Sequence, residues 1–239
     1  CHIPEYSRGD YASKEWWDWS TAGRLNADNT PLSKTDADDN EIYSSKKGDF
    51  RWEENVIPEY VWFNGTVDYT LLGDKIDPTK IVAINSFRGS AEDSDARIWP
   101  VKVMRGKQPY DAGNMTLAIP HTVGKDGFWK TFEWGPALSK GMAAAGAPFS
   151  GDYGFVETSM MWPITHMVAP KEQALDCVSC HAKNGRLENV TGVYIPGRDS
   201  VSFLDIIGFS ILGLTLAGTL LHGVLRFFTR NKGQTDDRV

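Results

Sequence analysis

Cys177-Val178-Ser179-Cys180-His181, the run CVSCH, decides how this chain is read. Two thiols separated by two residues and followed at once by His form C-x-x-C-H, the attachment signal of c-type haem in an exported protein. The thiols add across the two vinyl groups of the macrocycle, and the adjacent His reaches the iron as proximal ligand. Two other readings compete. A redox dithiol wants a thioredoxin-like βαβ setting, which the flanking sequence lacks. Half a zinc site wants a second ligand pair, and the only other Cys is Cys1. Covalent haem is therefore expected at Cys177 and Cys180, with His181 on the iron.

Working outward, the chain opens on Cys1-His2. This pair reads as the end of another C-x-x-C-H motif, and the rival reading is a lipid-bearing Cys of a mature lipoprotein. With one attachment motif already present, the first reading is the expectation. Cys1 then gives one thioether of a second haem, His2 gives its axial ligand, and the first thioether Cys lies on a preceding segment. At least two haems c would contact the chain. Each iron needs a sixth ligand or keeps an open position for substrate. His121, in the turn-rich run AIPHTVG, and His166, in WPITHMVAP, are the expected distal ligands, with Met167 as a rival to His166.

Downstream, residues 203–228 read FLDIIGFSILGLTLAGTLLHGVLRFF, with no charge between Ile206 and Leu221. Roughly 20 apolar residues cross a bilayer core, so this run suffices with some tilt. The alternative is a core helix, but a long helix apolar on every face suits lipid better. Arg226, Arg230 and Lys232 follow the span, which places the C-terminus in the cytoplasm and the bulk of the chain in the periplasm, anchored to the inner membrane. The expected organisation is a periplasmic domain at 1–200, a transmembrane helix at 201–230 and a cytoplasmic tail at 231–239. His222 lies inside the span. It is read either as a metal ligand to a haem b shared with a partner, or a contact near a quinone site, or as an interfacial His. Small residues at Gly213 and Ala217, and at Thr219 and Gly223, favour close packing on another helix.

The composition agrees with a folded chain. Of 239 residues, 41% are hydrophobic and 23% charged, and the net charge is −6, which excludes a general nucleic-acid binder. Nine Trp imply a rich core or a buried cofactor packed by them. TDADDNE at 35–41 is a solvated loop, without the Gly and closing Glu of a calcium loop. VWFNGTVDYTLL has β-rich runs on both sides of Asn64-Gly65 and predicts a hairpin. KIVAINSF and RIWPVKVM extend a small antiparallel sheet, with Pro100 demoting the latter to an edge or bent strand. Residues 106–150 read as turns around one short helix near 136–145, closed by Gly146. Further helices are expected after Trp162-Pro163 and from Pro170 to Asp176. The fold class expected is thus a multihaem cytochrome c fold, mostly irregular and α-helical with a small antiparallel β element, plus one C-terminal transmembrane helix.

Three runs carry a wider likeness: RGKQPYD at 105–111, PHTVGKDGFW at 120–129 and TSMMWPITHMVAPKEQALDCVSCH at 158–181. Over roughly residues 1–195 the chain resembles the C-terminal half of the octahaem tetrathionate reductase family of c-type cytochromes. The resemblance implies eight haems packed in van der Waals chains, mostly with two His ligands each. It also implies a substrate haem with a Lys ligand in the N-terminal half, outside this chain. Cys177, Cys180 and His181 match the family's final attachment motif, Cys1 and His2 the end of an earlier one, and His121 and His166 its ligand contexts. Family members reduce tetrathionate, nitrite or hydroxylamine. The membrane span departs from the soluble members.

The expected function is electron relay between a membrane cytochrome b or quinone-binding subunit and a catalytic haem elsewhere in the assembly. The expected partners are that subunit, membrane lipid and the rest of the multihaem protein, and no nucleic acid. The alternatives are a reductase of a small sulfur or nitrogen oxyanion in the intact protein, and a structural module that docks another haem subunit.

Overall fold

The computed structural model describes residues 1–233, so 234–239, most of the expected tail, lie outside the described residues. The strands are β1 (Ser13–Asp18), β2 (Ser33–Thr35), β3 (Glu41–Ser44), β4 (Gly48–Glu53), β5 (Glu59–Phe63), β6 (Val67–Tyr69), β7 (Val82–Ala83), β8 (Asn85–Phe87), β9 (Arg97–Asp111), β10 (Thr116–Leu117) and β11 (Tyr153–Pro163). The α-helices are α1 (Phe128–Thr131), α2 (Trp134–Ala144), α3 (Cys177–Cys180) and α4 (Ser202–Gly233). Nine strands form one mixed sheet in the order β2-β3-β4-β1-β9-β11-β7, with β5 and β10 also paired to β9. β1 runs parallel to β9, and β7 parallel to β11.

The expectation of a mostly irregular and α-helical body is overturned. Outside α4 the longest helix has 11 residues, and the sheet is the frame. The misreading centres on β9, RIWPVKVMRGKQPYD, whose two prolines and glycine look like breakers. Within a strand the amide and carbonyl of one residue point to the same side. The Pro100 carbonyl accepts from the Ile164 amide at 3.1 Å, so its ring nitrogen faces the end of β11, where the ladder stops at Val101–Pro163. The Pro109 carbonyl accepts from Ala118 at 3.1 Å, so its nitrogen faces the end of the two-residue β10. Neither proline removes a ladder bond. Gly106 is opposite Trp17 of the parallel neighbour, and a β-carbon on it would stand 2.3 Å from the Trp17 carbonyl oxygen. What reads as a turn glycine is the residue that lets β1 pair.

The expected hairpin also gives way. Gly65 takes φ +91° and turns the chain, but β5 pairs with β9 and β6 pairs with β8. The Asn64 amide donates to the Arg88 carbonyl at 2.8 Å and its side chain to Asp93 at 2.7 Å, so a third segment takes the donors a hairpin would use. No helix follows Pro163. The 170–176 segment holds only a 3-10 turn at Lys171–Gln173. The helix expected near 136–145 is present as α2, with Pro136 in its first turn. TDADDNE is a tight loop between β2 and β3, in which Asp36 accepts from the amides of Asp38 and Asn40.

α1 and α2 lay Phe128, Trp134, Ala137, Leu138 and Met142 against Phe155 of β11 and Trp19. Phe128 packs tilted against Trp134 with ring centroids 4.1 Å apart, and Trp17 stacks on Trp19 at 4.9 Å. α4 stands apart from this body. Ser202–Thr229 has a mean hydropathy of 1.9 with none of its apolar window buried, which is long and apolar enough to cross a membrane.

Candidate haem site

The CVSCH run folds as α3, a single turn. Asp176 caps its start, accepting from the Ser179 amide at 2.8 Å and the Ser179 hydroxyl at 2.6 Å. The same two bonds, hydroxyl first, hold the Asp176 carboxyl below its ordinary range. His181 closes the turn, its amide donating to the Cys177 carbonyl at 2.8 Å. Cys177 is exposed, Cys180 half-buried, and both thiols are free. His181 is exposed.

Cys180 lines a cavity of about 440 Å³, within the ~300–1,000 Å³ typical of ligand pockets. Cys1 and His2 line the same cavity, with Tyr60, Trp99 and Val168 among the other walls. The N-terminal strand is laced to the motif segment. The Leu175 amide donates to the Cys1 carbonyl at 2.9 Å, the Ala169 amide to His2 at 2.7 Å, and the Arg186 guanidinium to Pro4. The two ends that sequence marked as haem sites therefore share one hollow, 179 residues apart in the chain.

Two buried polar atoms on that wall lack partners, the Tyr60 hydroxyl and the Trp99 indole N–H. An unmet buried donor costs roughly 1–3 kcal/mol, so both atoms lie within the wall as local strain points rather than on its open face. The Tyr60 hydroxyl is beside Arg186 without reaching hydrogen-bond geometry. Burial pushes its phenol above the ordinary value, and Arg186 opposes part of that rise. A free thiol pair on one turn, an adjacent His and a largely apolar hollow lined by Cys180 together fit covalent haem. Sequence reasoning missed Tyr60 and Trp99. The strand alternation in EYVWF and RIWPV was the available signal, but it does not say which face meets a cofactor.

The other expected ligands are distributed. His166 is exposed and lies between Ile164 and Val168, both cavity-lining. The next residue, Met167, takes φ +68°, an uncommon conformation for a side chain of its size. His121 is elsewhere, outside the cavity lining. Its amide donates to Ala137 at 2.8 Å, its carbonyl accepts from Phe128 at 2.9 Å, and its Nε2 lies 3.7 Å from Asp126. Its side chain is about one-third exposed. His222 is exposed on α4, distant in sequence and fold from both groups.

Residues 14–184 match the model of a family described as "Cytochrome c bacterial". The chain is also similar to the octaheme cytochrome c from Shewanella oneidensis, a crystal structure, with 40% identity and a TM-score of 0.71. The match covers 78% of this chain and 43% of the other, so the chain spans less than half of that protein's length. No curated protein matches it. With the haem-attachment turn, the shared hollow and the family match in agreement, the chain belongs to the bacterial cytochrome c family, whose prosthetic group is covalently held haem c.

Proposed function

We propose that the chain is the membrane-anchored part of a multihaem cytochrome c and relays electrons between a membrane partner and a catalytic haem elsewhere in the same assembly. One observation carries this reading: Cys1, His2 and Cys180 line a single cavity, so two attachment sites lie side by side. Haem c is the electron carrier that such sites supply. Cys177 and Cys180 give its thioethers and His181 its proximal ligand. Cys1 and His2 serve the neighbouring haem. His166, between the cavity-lining Ile164 and Val168, and His121 would be the distal ligands, each to a haem of the whole assembly. Apolar walls, Tyr60 and Trp99 among them, keep water from the macrocycles.

α4 is the anchor, crossing the inner membrane with its basic end in the cytoplasm. There it meets a haem-b or quinone-binding subunit, toward which His222 faces. With distal ligands supplied from within the assembly, the haems held by this chain would have no open iron, and reduction of tetrathionate, nitrite or hydroxylamine would belong to a catalytic haem beyond it. The electron paramagnetic resonance spectrum of the ferric holoprotein tests the relay role. Low-spin signals for the haems on this chain support it, and a high-spin signal from either one would turn the reading to catalysis.

A further inference from the structure

Residues 182–201 join His181 to α4, and they are held rather than free. The Arg198 guanidinium donates to the carbonyls of Leu187 and Val193, both at 2.9 Å, and to that of Val190. Asp199 closes on the same group with two bonds, of 2.8 and 2.7 Å, and accepts the Ile195 amide at 2.7 Å. The Arg198 side chain is only 15% exposed. The segment is also fixed to its surroundings. The Trp62 indole donates to Thr191 at 2.9 Å, and the Arg186 amide to Ser179, inside the CVSCH turn, at 2.8 Å. Gly197 takes φ +87°, and a β-carbon there would stand 2.2 Å from the His181 carbonyl oxygen. The connector thus lies backbone on backbone against the proximal ligand residue.

We infer that Arg198 is a positioning residue that locks the CVSCH turn to the root of α4, so that the haem on Cys177 and Cys180 is the one held at the membrane surface and exchanging electrons with the membrane partner. This rests on the proposed anchoring through α4. From Gly197 to Ser202 the chain spans at most ~18 Å even if fully extended. The polar layer on one side of a bilayer is roughly 5–8 Å thick. The turn therefore stands close to the headgroups. Val178, Tyr194 and Val201, all more than half exposed, suit that boundary. The five donors of the rigid, planar guanidinium hold three carbonyls and Asp199 in one fixed arrangement, which the three donors of a flexible Lys ammonium would not reproduce.

The test uses full-length ferric holoprotein in vesicles of phosphatidylcholine and phosphatidylglycerol that carry a headgroup nitroxide lipid. Ferric haem speeds nitroxide relaxation steeply as distance falls. The wild type is expected to enhance relaxation severalfold. Arg198→Gln, Arg198→Lys, and an insertion of about ten Gly/Ser residues after Asp199 should each lose at least half of the enhancement while keeping a low-spin spectrum. A Cys177→Ser, Cys180→Ser variant, which lacks this haem alone, should lose it too. If Arg198→Gln fails to mature, the insertion decides. Vesicle-bound wild type without enhancement, full enhancement after the insertion, or full enhancement in the double Ser variant overturns the inference alone. Wild type that does not sediment with vesicles overturns the anchoring, and the inference with it.

Discussion

The amide of Leu175 donates to the carbonyl of Cys1 at 2.9 Å. This bond, two residues before the CVSCH turn, pins one proposed haem-bearing segment to the other. If both segments carry haem as proposed, the two haems would lie side by side and their Soret transitions would couple. The holoprotein should show a bisignate circular dichroism band in the Soret region, and the Cys177→Ser, Cys180→Ser variant should show a simple one. A simple band in the wild type would mean that the segments adjoin but their haems do not.

His121 and His166 are expected to complete low-spin irons. Replacing either by Ala opens one coordination site and adds a high-spin signal, with water or hydroxide in its place. The two variants should be independent, since His166 lies between the cavity-lining Ile164 and Val168 whereas His121 is held by Ala137 and Phe128. A wholly low-spin spectrum in both would remove these residues from the ligand set.

Gly106→Ala forces a β-carbon to within 2.3 Å of the Trp17 carbonyl oxygen, a contact with backbone that cannot rotate away. Overpacking of this kind typically costs about 1–3 kcal/mol. Denaturant unfolding should show a lower midpoint with an unchanged slope. Amide exchange should rise in β1 before β11, because β1 alone is displaced. Unchanged stability would contradict the close approach of the parallel strands.

Asp111 is buried and ties the β9 end to the 112–114 turn and to Ser150. Burial pushes its carboxyl up, but hydrogen bonds from Ser150 and Asn114 outweigh this and hold it at about 2. A carboxylate normally titrates near ~3.9 when unfolded. A depressed folded value stabilises above the unfolded one and fades as pH falls through the folded one. Asp111 should therefore contribute on the order of 1–2 kcal/mol above pH ~4, the lower figure allowing for screening, and lose it toward pH ~2. Asp111→Asn should be less stable than wild type at neutral pH, with the gap closing in acid. A gap independent of pH would assign the loss to packing instead.

Much of the site was legible in local sequence because covalent attachment demands fixed spacing. Cys177, Cys180 and His181 need only one helical turn, and α3 supplies it. The apolar run of α4 was equally plain, since every face of it is apolar. The sheet was hidden because its evidence is non-local. Pro100, Gly106 and Pro109 act as breakers by propensity, and only the ends of β11 and β10 and the nearness of Trp17 make them harmless. Asn64-Gly65 turned as expected, yet the partners of β5 and β6 were chosen by segments 16 or more residues away. Arg198 was likewise invisible, since a lone Arg before a membrane run reads as a flanking charge rather than a clasp.

The attachment itself is the most direct point to measure. Mass spectrometry of the peptide spanning Asp176–Lys183, cut from protein matured with its haem machinery, should give the peptide plus one haem with both thiols consumed. The unmodified peptide with two free thiols would contradict haem attachment at Cys177 and Cys180, and with it the relay built on that turn.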